Sequence, residues 1–250
     1  MIFSWHKNGH GIHSPFVFDL ITKGFKTEPT QNVENLMREM YERLRVDNSI
    51  VEKQDLGAGS VKKNLGTCSV ARISKTSSSP RKYGKLLYQL TSYYKPSIII
   101  ELGTCLGVSS SWMALGCPEA RIISLEGNEK LAQLAQQNHE KSGLKNIEVM
   151  AGEFSTTLPV VLRSIRQVDV VFFDGNHREE STIQYFEQCV NKACERSIFI
   201  FDDIYWSEEM ERAWIYVKKH PRVTFTVDLC RLGIVFFNQK ASKQHFVIRY

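Results

Sequence analysis

Residues 97–109 read Ser-Ile-Ile-Ile-Glu-Leu-Gly-Thr-Cys-Leu-Gly-Val-Ser. The run from Ser97 to Leu102 is short, continuous and apolar apart from one acid, as is typical of a strand buried in a parallel sheet. Gly103 and Gly107 follow it, and glycine permits both a tight turn and a close backbone approach to a ligand. A helix is predicted to begin near Gly107, where its free N–H groups can hold a carboxylate. The stretch therefore predicts a strand, a ligand-binding turn and a helix.

After Pro96 the sequence alternates regularly between short apolar runs and segments of helical period. The predicted strands lie at 97–102, 121–125, 147–151, 168–173, 197–201, 223–228 and 233–238. Strands that alternate with helices imply right-handed crossovers and a mostly parallel sheet. Only four residues, 229–232, separate the last two strands, which is too short for a crossover helix and predicts an antiparallel hairpin at the sheet edge. The predicted fold class is α/β: a Rossmann-like, doubly wound, mostly parallel seven-stranded sheet that ends in this hairpin.

The chain is predicted to divide into two parts at about residue 82. Residues 83–250 would form the ligand-binding α/β domain, and residues 1–82 a mainly helical N-terminal extension that covers the substrate. Within the extension, residues 31–45 have the periodicity of an amphipathic helix. The Lys-Thr-Ser-Ser-Ser-Pro run at 75–80 predicts a mobile loop instead.

The glycine spacing separates two classes of nucleotide-binding turn. A dinucleotide-binding turn reads Gly-x-Gly-x-x-Gly, whereas residues 101–107 read Glu-x-Gly-x-x-x-Gly. This pattern resembles the first motif of the class I methyltransferases, and a terminal hairpin is a further feature of that class. The resemblance covers about residues 83–238 and implies that S-adenosyl-L-methionine is the cofactor. Residues 10–16 also resemble the N-termini of bacterial methyltransferases of no known activity that share the Glu-Leu-Gly-Thr-x-Leu-Gly core.

Two further strand ends fit the same resemblance. Glu126 ends the second strand, 25 residues after Glu101, and in the family an acid at this place accepts hydrogen bonds from both ribose hydroxyls. The third strand ends at Gly152, where the family usually has its adenine contacts. The residues to which the resemblance assigns cofactor contacts are Glu101, Gly103, Thr104, Gly107, Ser109, Glu126, Gly127, Gly152, Glu153, Phe154 and Asp174.

Three acids follow the fourth and fifth strands. Asp174 ends the fourth strand, and Asp202 and Asp203 end the fifth. Because the carboxyl ends of neighbouring parallel strands meet at one sheet edge, these carboxylates should lie together and repel one another unless a cation or protons intervene. Oxygen ligands of this kind suit Mg²⁺ or another divalent cation. The sequence therefore predicts a metal site at these three residues, beside the transferable methyl group.

The acidic group resembles that of the metal-dependent O-methyltransferases of the catechol, caffeoyl-coenzyme A and macrocin types. There an Asp at the fourth strand and an Asp-Asp or Asp-Asn pair at the fifth hold the metal, and the 28-residue step from Asp174 to Asp202 fits that pattern. In catechol-type enzymes a lysine three residues after the first Asp is the base, whereas this sequence has His177. Imidazole titrates near neutrality, so His177 and Asp174 are the predicted catalytic residues. The departure from lysine leaves the catechol mechanism itself open.

Composition favours an intracellular protein. No stretch approaches the ~20 apolar residues of a membrane helix, and the first residues lack the charged-then-apolar order of a signal peptide. The six cysteines form no Cys-x-x-Cys pair, which suits reduced thiols better than disulfides or a zinc site. We therefore expect a cytoplasmic protein with no membrane partner.

The net charge of +5 is unevenly distributed along the chain. Residues 1–96 hold 15 basic and 8 acidic residues, a balance of +7, and residues 97–250 hold 17 and 19, a balance of −2. The excess lies mainly between residues 53 and 85, and such a segment can attract an anionic substrate or nucleic acid, although a solvated segment is the simpler interpretation. The role of this region, and of His6, His10 and His13, stays open.

The sequence thus predicts an S-adenosylmethionine-dependent methyltransferase that acts on an oxygen of a small-molecule acceptor, with divalent-cation assistance. A nucleic-acid-binding or RNA-methylating module of the same fold is favoured by the basic N-terminal half, but no Asn/Asp-Pro-Pro-Tyr base-methylation motif follows the fourth strand. A nicotinamide-dependent oxidoreductase is disfavoured by the missing third glycine and by the group of acids. The identity of the acceptor, the need for a metal and the formation of a homodimer stay open.

Overall fold

The computed structural model describes residues 14–52, 66–238 and 242–250. The helices are α1 Pro15–Thr22, α2 Gln31–Val46, α3 Val70–Ser77, α4 Arg81–Tyr94, α5 Val108–Gly116, α6 Glu129–Lys141, α7 Phe154–Ser164, α8 Glu179–Val190 and α9 Glu208–Lys219, with a 3-10 turn at Gly24–Lys26. The strands are β1 Ile50–Glu52, β2 Thr67–Ser69, β3 Ile98–Leu102, β4 Arg121–Glu126, β5 Ile147–Ala151, β6 Val168–Phe173, β7 Ala193–Phe201, β8 Phe225–Asp228, β9 Gly233–Phe236 and β10 Gln244–Val247. His6, His10, His13 and residues 53–65 lie outside the described ranges.

The main sheet has the order β10-β8-β9-β7-β6-β3-β4-β5. Strands β3 to β7 pair in parallel, and β9 lies antiparallel between β7 and β8. The predicted α/β class, the mostly parallel sheet and the antiparallel hairpin are confirmed. The order reverses at β3, whose two neighbours are β4 and β6, and this is where ligands of open α/β sheets bind.

The predicted number of seven strands is wrong, because the described residues form eight in this sheet. The additional strand β10 pairs in parallel with β8 and covers what would otherwise be its open edge. It is only four residues long, and of these only Phe246 is buried, so its sequence lacks a clear alternating pattern. The predicted hairpin is therefore not the outermost element of the sheet.

Both faces of the sheet are buried, which explains the continuous apolar strands. Ile99 faces one hydrophobic core, shared with Leu86 and Leu87 of α4. Ile100 faces the other, shared with Leu158 of α7. Because successive side chains of a strand point to opposite faces, a strand with helices on both sides must be apolar at nearly every position.

The N-terminal part packs on the α/β domain where the structure describes it. Helix α1 contributes to the core that contains β3, while α2, α3 and the β1–β2 hairpin form a third core with Leu106, Val108 and Trp112. The predicted boundary at 82/83 falls inside the first turn of α4. The role of residues 1–82 as a substrate cover stays a prediction.

The mobile loop expected at residues 75–80 is wrong in its first half, because α3 extends to Ser77. The side chain of Ser69 caps this helix by accepting from the amide of Arg72 at 3.3 Å, and Val70 and Ile73 are buried. A cap and two buried side chains at helical spacing stabilise a helix even where its end is rich in serine.

Candidate cofactor and reaction site

The loop after β3 lies against the ends of two neighbouring strands. Gly103 has a φ of +107°, which L side chains rarely adopt, and its amide donates to the carbonyl of Leu125 at 2.9 Å. A Cβ at position 103 would lie 2.4 Å from the carbonyl oxygen of Asp174, at the end of β6. The tight turn that the sequence predicts is present, and the close approach of three strand ends requires glycine there.

Gly107 is the N-cap of α5 and is held by a buried histidine. Its φ is +80°, and its amide donates to the carbonyl of Thr104 at 2.8 Å. Nε2 of His139 lies 3.1 Å from the carbonyl oxygen of Gly107 and 3.1 Å from Oγ of Ser110. Burial lowers the pKa of His139 to about 4, so the imidazole is neutral at physiological pH. No sequence pattern singled out His139.

Glu101 is fully buried under the glycine loop. The hydroxyl of Ser124 donates to its Oε2 and lies 2.6 Å from the hydroxyl of Thr104. Oε1 is buried and has no hydrogen-bond partner among the described residues. Burial raises the pKa of Glu101 to about 7, and the nearby hydroxyl groups of Ser109 and Ser124 oppose part of this shift. Thr104 and Ser109 are therefore buried beside Glu101 rather than exposed at the surface of the site.

Glu126 ties the end of β4 to the glycine loop. Its Oε2 accepts from the amide of Cys105 at 2.8 Å, and its Oε1 accepts from the amide of Asn128 at 2.9 Å. Burial raises the pKa of Glu126, while these N–H donors and that of Gly127 oppose the shift. Cys105 has a φ of +50°, which is costly for a residue with a side chain. A carboxylate can accept about four hydrogen bonds, so Glu126 keeps capacity for a diol.

The end of β5 contributes an exposed acid and a half-buried ring. The amide of Gly152 donates to the carbonyl of Glu126 at 2.9 Å, which places the two strand ends side by side. Glu153 is exposed. The ring of Phe154 packs edge-on against Tyr185, with centroids 5.8 Å apart, and a Cβ at Gly175 would lie 2.6 Å from Cε2 of Phe154. Phe154 therefore packs against the end of β6.

A cavity of about 450 Å³ lies between β1 and the start of α6. Its lining residues are Ile50, Glu52, Asn128, Glu129, Lys130 and Gln133. Asn128 links the cavity to Glu126, because its side chain donates to the carbonyl of Glu52 at 2.9 Å while its backbone amide donates to Glu126. The N-terminal part of the chain thus reaches the edge of the predicted ribose site.

Asp174 and His177 lie together on the loop after β6. Nε2 of His177 is 3.9 Å from Oδ1 of Asp174, and their side chains are 23% and 16% exposed. Burial and the neighbouring carboxylate of Asp202 raise the pKa of Asp174 well above its usual range. Burial and Asp202 also raise the pKa of Asp203, against the opposing effects of Arg231 and His177. The structure therefore brings together all the predicted reaction-site residues.

Arg231, in the turn between β8 and β9, adds a cation that sequence reasoning missed. Its Nε and Nη2 donate to the two oxygens of Asp202, each at 2.8 Å, and Nε lies 3.3 Å from Oδ1 of Asp203. Its guanidinium carbon lies 5.2 Å from the ring centroid of Tyr83, a cation–π contact. These acids raise the pKa of Arg231, so its charge is permanent.

The predicted divalent-cation site does not fit this arrangement. Both oxygens of Asp202 already accept hydrogen bonds from the guanidinium of Arg231, and a fixed positive charge beside Asp203 repels a metal ion. In residues 14–52, 66–238 and 242–250, no group of three or more His, Cys, Asp or Glu side chains is placed to hold a metal. The three acids converge as predicted, but the guanidinium of Arg231 contacts two of them, Asp202 and Asp203.

Comparison with known proteins finds similarity to methyltransferases over the region of these strand ends. Residues 100–204 match a family model described as a methyltransferase domain. Two similar relatives are catechol O-methyltransferases, from Mycobacterium tuberculosis (28% identical over 123 residues) and from Niastella koreensis (30% identical over 137 residues). The matches cover 48% and 54% of this chain and only 54% and 61% of those relatives.

Solved methyltransferase structures share the fold over most of the chain. A Podospora anserina methyltransferase bound to S-adenosylhomocysteine superposes with a TM-score of 0.62 at 15% identity, covering 81% of this chain and 88% of that one. An O-methyltransferase from Bacillus cereus, also with S-adenosylhomocysteine, gives 0.58 at 19% identity, covering 88% and 97%. The chain therefore has the fold of the class I, S-adenosylmethionine-dependent methyltransferases. Within its described part, no helix is both long and apolar enough to cross a membrane.

Proposed function

We propose that this protein is an S-adenosylmethionine-dependent O-methyltransferase that acts on a hydroxyl group of a small molecule. One observation carries the proposal: Glu126, at the end of β4, accepts the amide of Cys105 from the glycine loop, and that loop contacts the end of β6 beside Asp174. A nucleotide-binding acid, a glycine turn and a candidate proton acceptor thus share one edge of the sheet. This is the edge at which open α/β sheets bind ligands.

The residues present fit the methyl donor. Glu126 would accept the ribose hydroxyls with its remaining acceptor capacity. Gly103 lets the loop pack against the end of β6, where a Cβ would lie 2.4 Å from the carbonyl oxygen of Asp174. The buried Oε1 of Glu101 has no hydrogen-bond partner among the described residues, so it gives a second oxygen acceptor near the loop for the amino group of the donor. Gly152, Glu153 and Phe154 would border the adenine.

The chemistry requires one proton to be removed. When bound, S-adenosylmethionine supplies a methyl carbon whose bond to sulfur breaks, with the electron pair going to sulfur, as the acceptor oxygen bonds to it. His177 would accept the hydroxyl proton at Nε2, the ring nitrogen that lies 3.9 Å from Oδ1 of Asp174. The remaining contribution of the protein is to hold the two reactants in line.

The proposal that the acceptor is a small molecule is based on the similar proteins. The matched relatives are named for methylation of catechol, so catechol is a reasonable first probe. The basic segment gives weaker support to nucleic acid, because Arg81 pairs with Glu34 and Lys85 with Glu28. These pairs neutralise part of the local excess of positive charge.

The direct test is calorimetry with S-adenosylhomocysteine and NAD⁺ side by side. We expect S-adenosylhomocysteine to bind one site, and Glu126→Gln to weaken it by roughly 1–3 kcal/mol through loss of charge-assisted hydrogen bonds. Glu148→Gln is the matched control, because Glu148 lies on β5 and makes only an exposed ion pair with Arg121. Tighter binding of NAD⁺ than of S-adenosylhomocysteine would overturn the proposal.

A further inference from the structure

Arg231 is fixed at the acidic site by its backbone as well as its side chain. The carbonyl of Arg231 accepts the amide of Ile204 at 3.1 Å, which joins the β8–β9 turn to the loop after β7. Within the turn, the amide of Leu229 donates a hydrogen bond to the carbonyl of Leu232 at 2.8 Å. The backbone of Arg231 is therefore fixed beside the acidic site by the sheet, and its side-chain contacts then place the guanidinium.

The guanidinium makes the contacts that a metal ion would otherwise make. The side chain of Asp202 is only 3% exposed, and a buried carboxylate is costly unless a cation and hydrogen bonds compensate it. Arg231 provides both, because its planar guanidinium donates two parallel hydrogen bonds to the carboxylate of Asp202. Lysine cannot make this two-point contact. The neighbouring charge of Asp203 is partly offset by the same group. The ring of Tyr83 lies over the guanidinium, so the cation has an aromatic neighbour as well as the two carboxylates.

We propose that Arg231 is the resident cation of this site and that it takes the place of a divalent metal. This inference rests on the proposed methyltransferase function but concerns only what neutralises Asp174, Asp202 and Asp203. The positive charge opposes the rise in the pKa of Asp203, and Asp174 and His177 remain the candidates for handling the proton of the acceptor. Nη1 of Arg231 takes no part in the contacts with Asp202 and Asp203, and it is available to donate to an acceptor oxygen.

The test is a titration of the full-length protein with Mn²⁺, followed by electron paramagnetic resonance, in the presence of saturating S-adenosylhomocysteine. We expect the wild type to bind Mn²⁺ weakly at this site. Arg231→Met should bind one equivalent at least about tenfold more tightly, because the three acids then converge without the guanidinium beside them. Arg121→Met is the matched control, since Arg121 pairs with Glu148 on the exposed part of the sheet, and it should behave like the wild type.

A second variant covers the case in which Arg231→Met does not fold. If Arg231→Met fails to unfold cooperatively, Arg231→Gln keeps two hydrogen-bond donors, loses the charge and should also gain Mn²⁺. Arg231→Lys retains the charge and should continue to exclude the metal. The proposal is overturned if the wild type binds one Mn²⁺ as tightly as Arg231→Met and Asp202→Asn abolishes that binding. The readout needs no acceptor and no methyl transfer, so this failure is distinct from failure of S-adenosylhomocysteine binding.

Discussion

The imidazole of His139 occupies the space that a side chain at Gly107 would need. A Cβ built on Gly107 would lie 2.4 Å from Nε2 of His139, and that nitrogen is 3.1 Å from the carbonyl oxygen of the same glycine. The two residues belong to the start of α5 and to α6, so their contact fixes the glycine loop against the helix that follows Glu126. Backbone conformation and packing both exclude other residues at position 107.

Replacing Gly107 by alanine should therefore damage both stability and cofactor binding. The left-handed φ of +80° and the steric conflict with His139 together should lower the free energy of unfolding by about 1–3 kcal/mol. The displaced loop should also weaken S-adenosylhomocysteine. Denaturant unfolding measures the first effect and calorimetry the second.

Gly143→Ala is the matched control for that experiment. Gly143 has a similar φ of +70°, but a Cβ there meets nothing within 4 Å. It should lose about 1 kcal/mol from backbone strain alone and keep its affinity for S-adenosylhomocysteine. Equal losses of stability and affinity in the two variants would show that contact with His139 is unimportant.

The stability of the protein should depend on pH through His139. Its folded-state pKa of about 4 lies below the ordinary value of 6.5, so the unfolded chain binds the proton more readily between these values. The contribution of neutral His139 to the free energy of unfolding is fully present above pH 6.5 and is lost as the pH falls towards 4. Between pH 7 and pH 5 this amounts to roughly 2 kcal/mol. Denaturant unfolding of His139→Gln should show a smaller decline than the wild type over that range, and parallel curves would contradict this explanation.

Glu101 should produce the opposite dependence. Burial raises its folded-state pKa to about 7 from 4.5, so the folded protein binds the proton more readily. The contribution of the protonated carboxyl group to the free energy of unfolding is complete below pH 4.5 and is lost as the pH rises through 7. The loss between pH 5 and pH 8 is roughly 2 kcal/mol. Glu101→Gln cannot ionise, so its free energy of unfolding relative to the wild type should increase over this range without cofactor. A constant difference at both pH values would show that Glu101 titrates normally in the folded state.

The sequence was sufficient for the glycine loop because local signals coincide there. A continuous apolar strand, two glycines and a following helix all indicate the same turn, and the interval to Glu126 follows from the length of one strand–helix–strand unit. His139 was missed because a single histidine in an amphipathic helix carries no distinctive pattern. Its buried neighbours on the same helix face, Ala132 and Ala135, are the one signal that could have indicated an inward-facing position.

Arg231 could not be found by reading the chain segment by segment. Its turn, Leu-Cys-Arg-Leu, resembles any short hairpin connection, and its role depends on which strand pairs with β9. Phe201 of β7 lies opposite Gly233 of β9. Because the strands are antiparallel, the residue two positions after Phe201 faces the residue two positions before Gly233. The register therefore brings Arg231 towards Asp203. A cation in that turn becomes significant only once the antiparallel register is known. The predicted metal site does not fit the structure for the same reason. The prediction considered the acids without β9, the neighbouring strand whose turn carries Arg231.

Loss of His177 should reduce turnover without reducing affinity for the methyl donor. Its imidazole lies 3.9 Å from Asp174, at the end of β6, whereas Glu126 and the glycine loop that would hold the donor are on other elements. With an acceptor that the wild type methylates, His177→Ala should lower kcat by about 10²–10⁴-fold, the usual contribution of a general base. Affinity for S-adenosylhomocysteine should change by less than about twofold. His245→Gln is the control, because His245 lies on the outer strand β10 and contacts Thr226. Added imidazole should restore part of the rate in His177→Ala, which a merely structural role would not allow. A variant that keeps most of its turnover would leave Asp174 as the remaining candidate for the base.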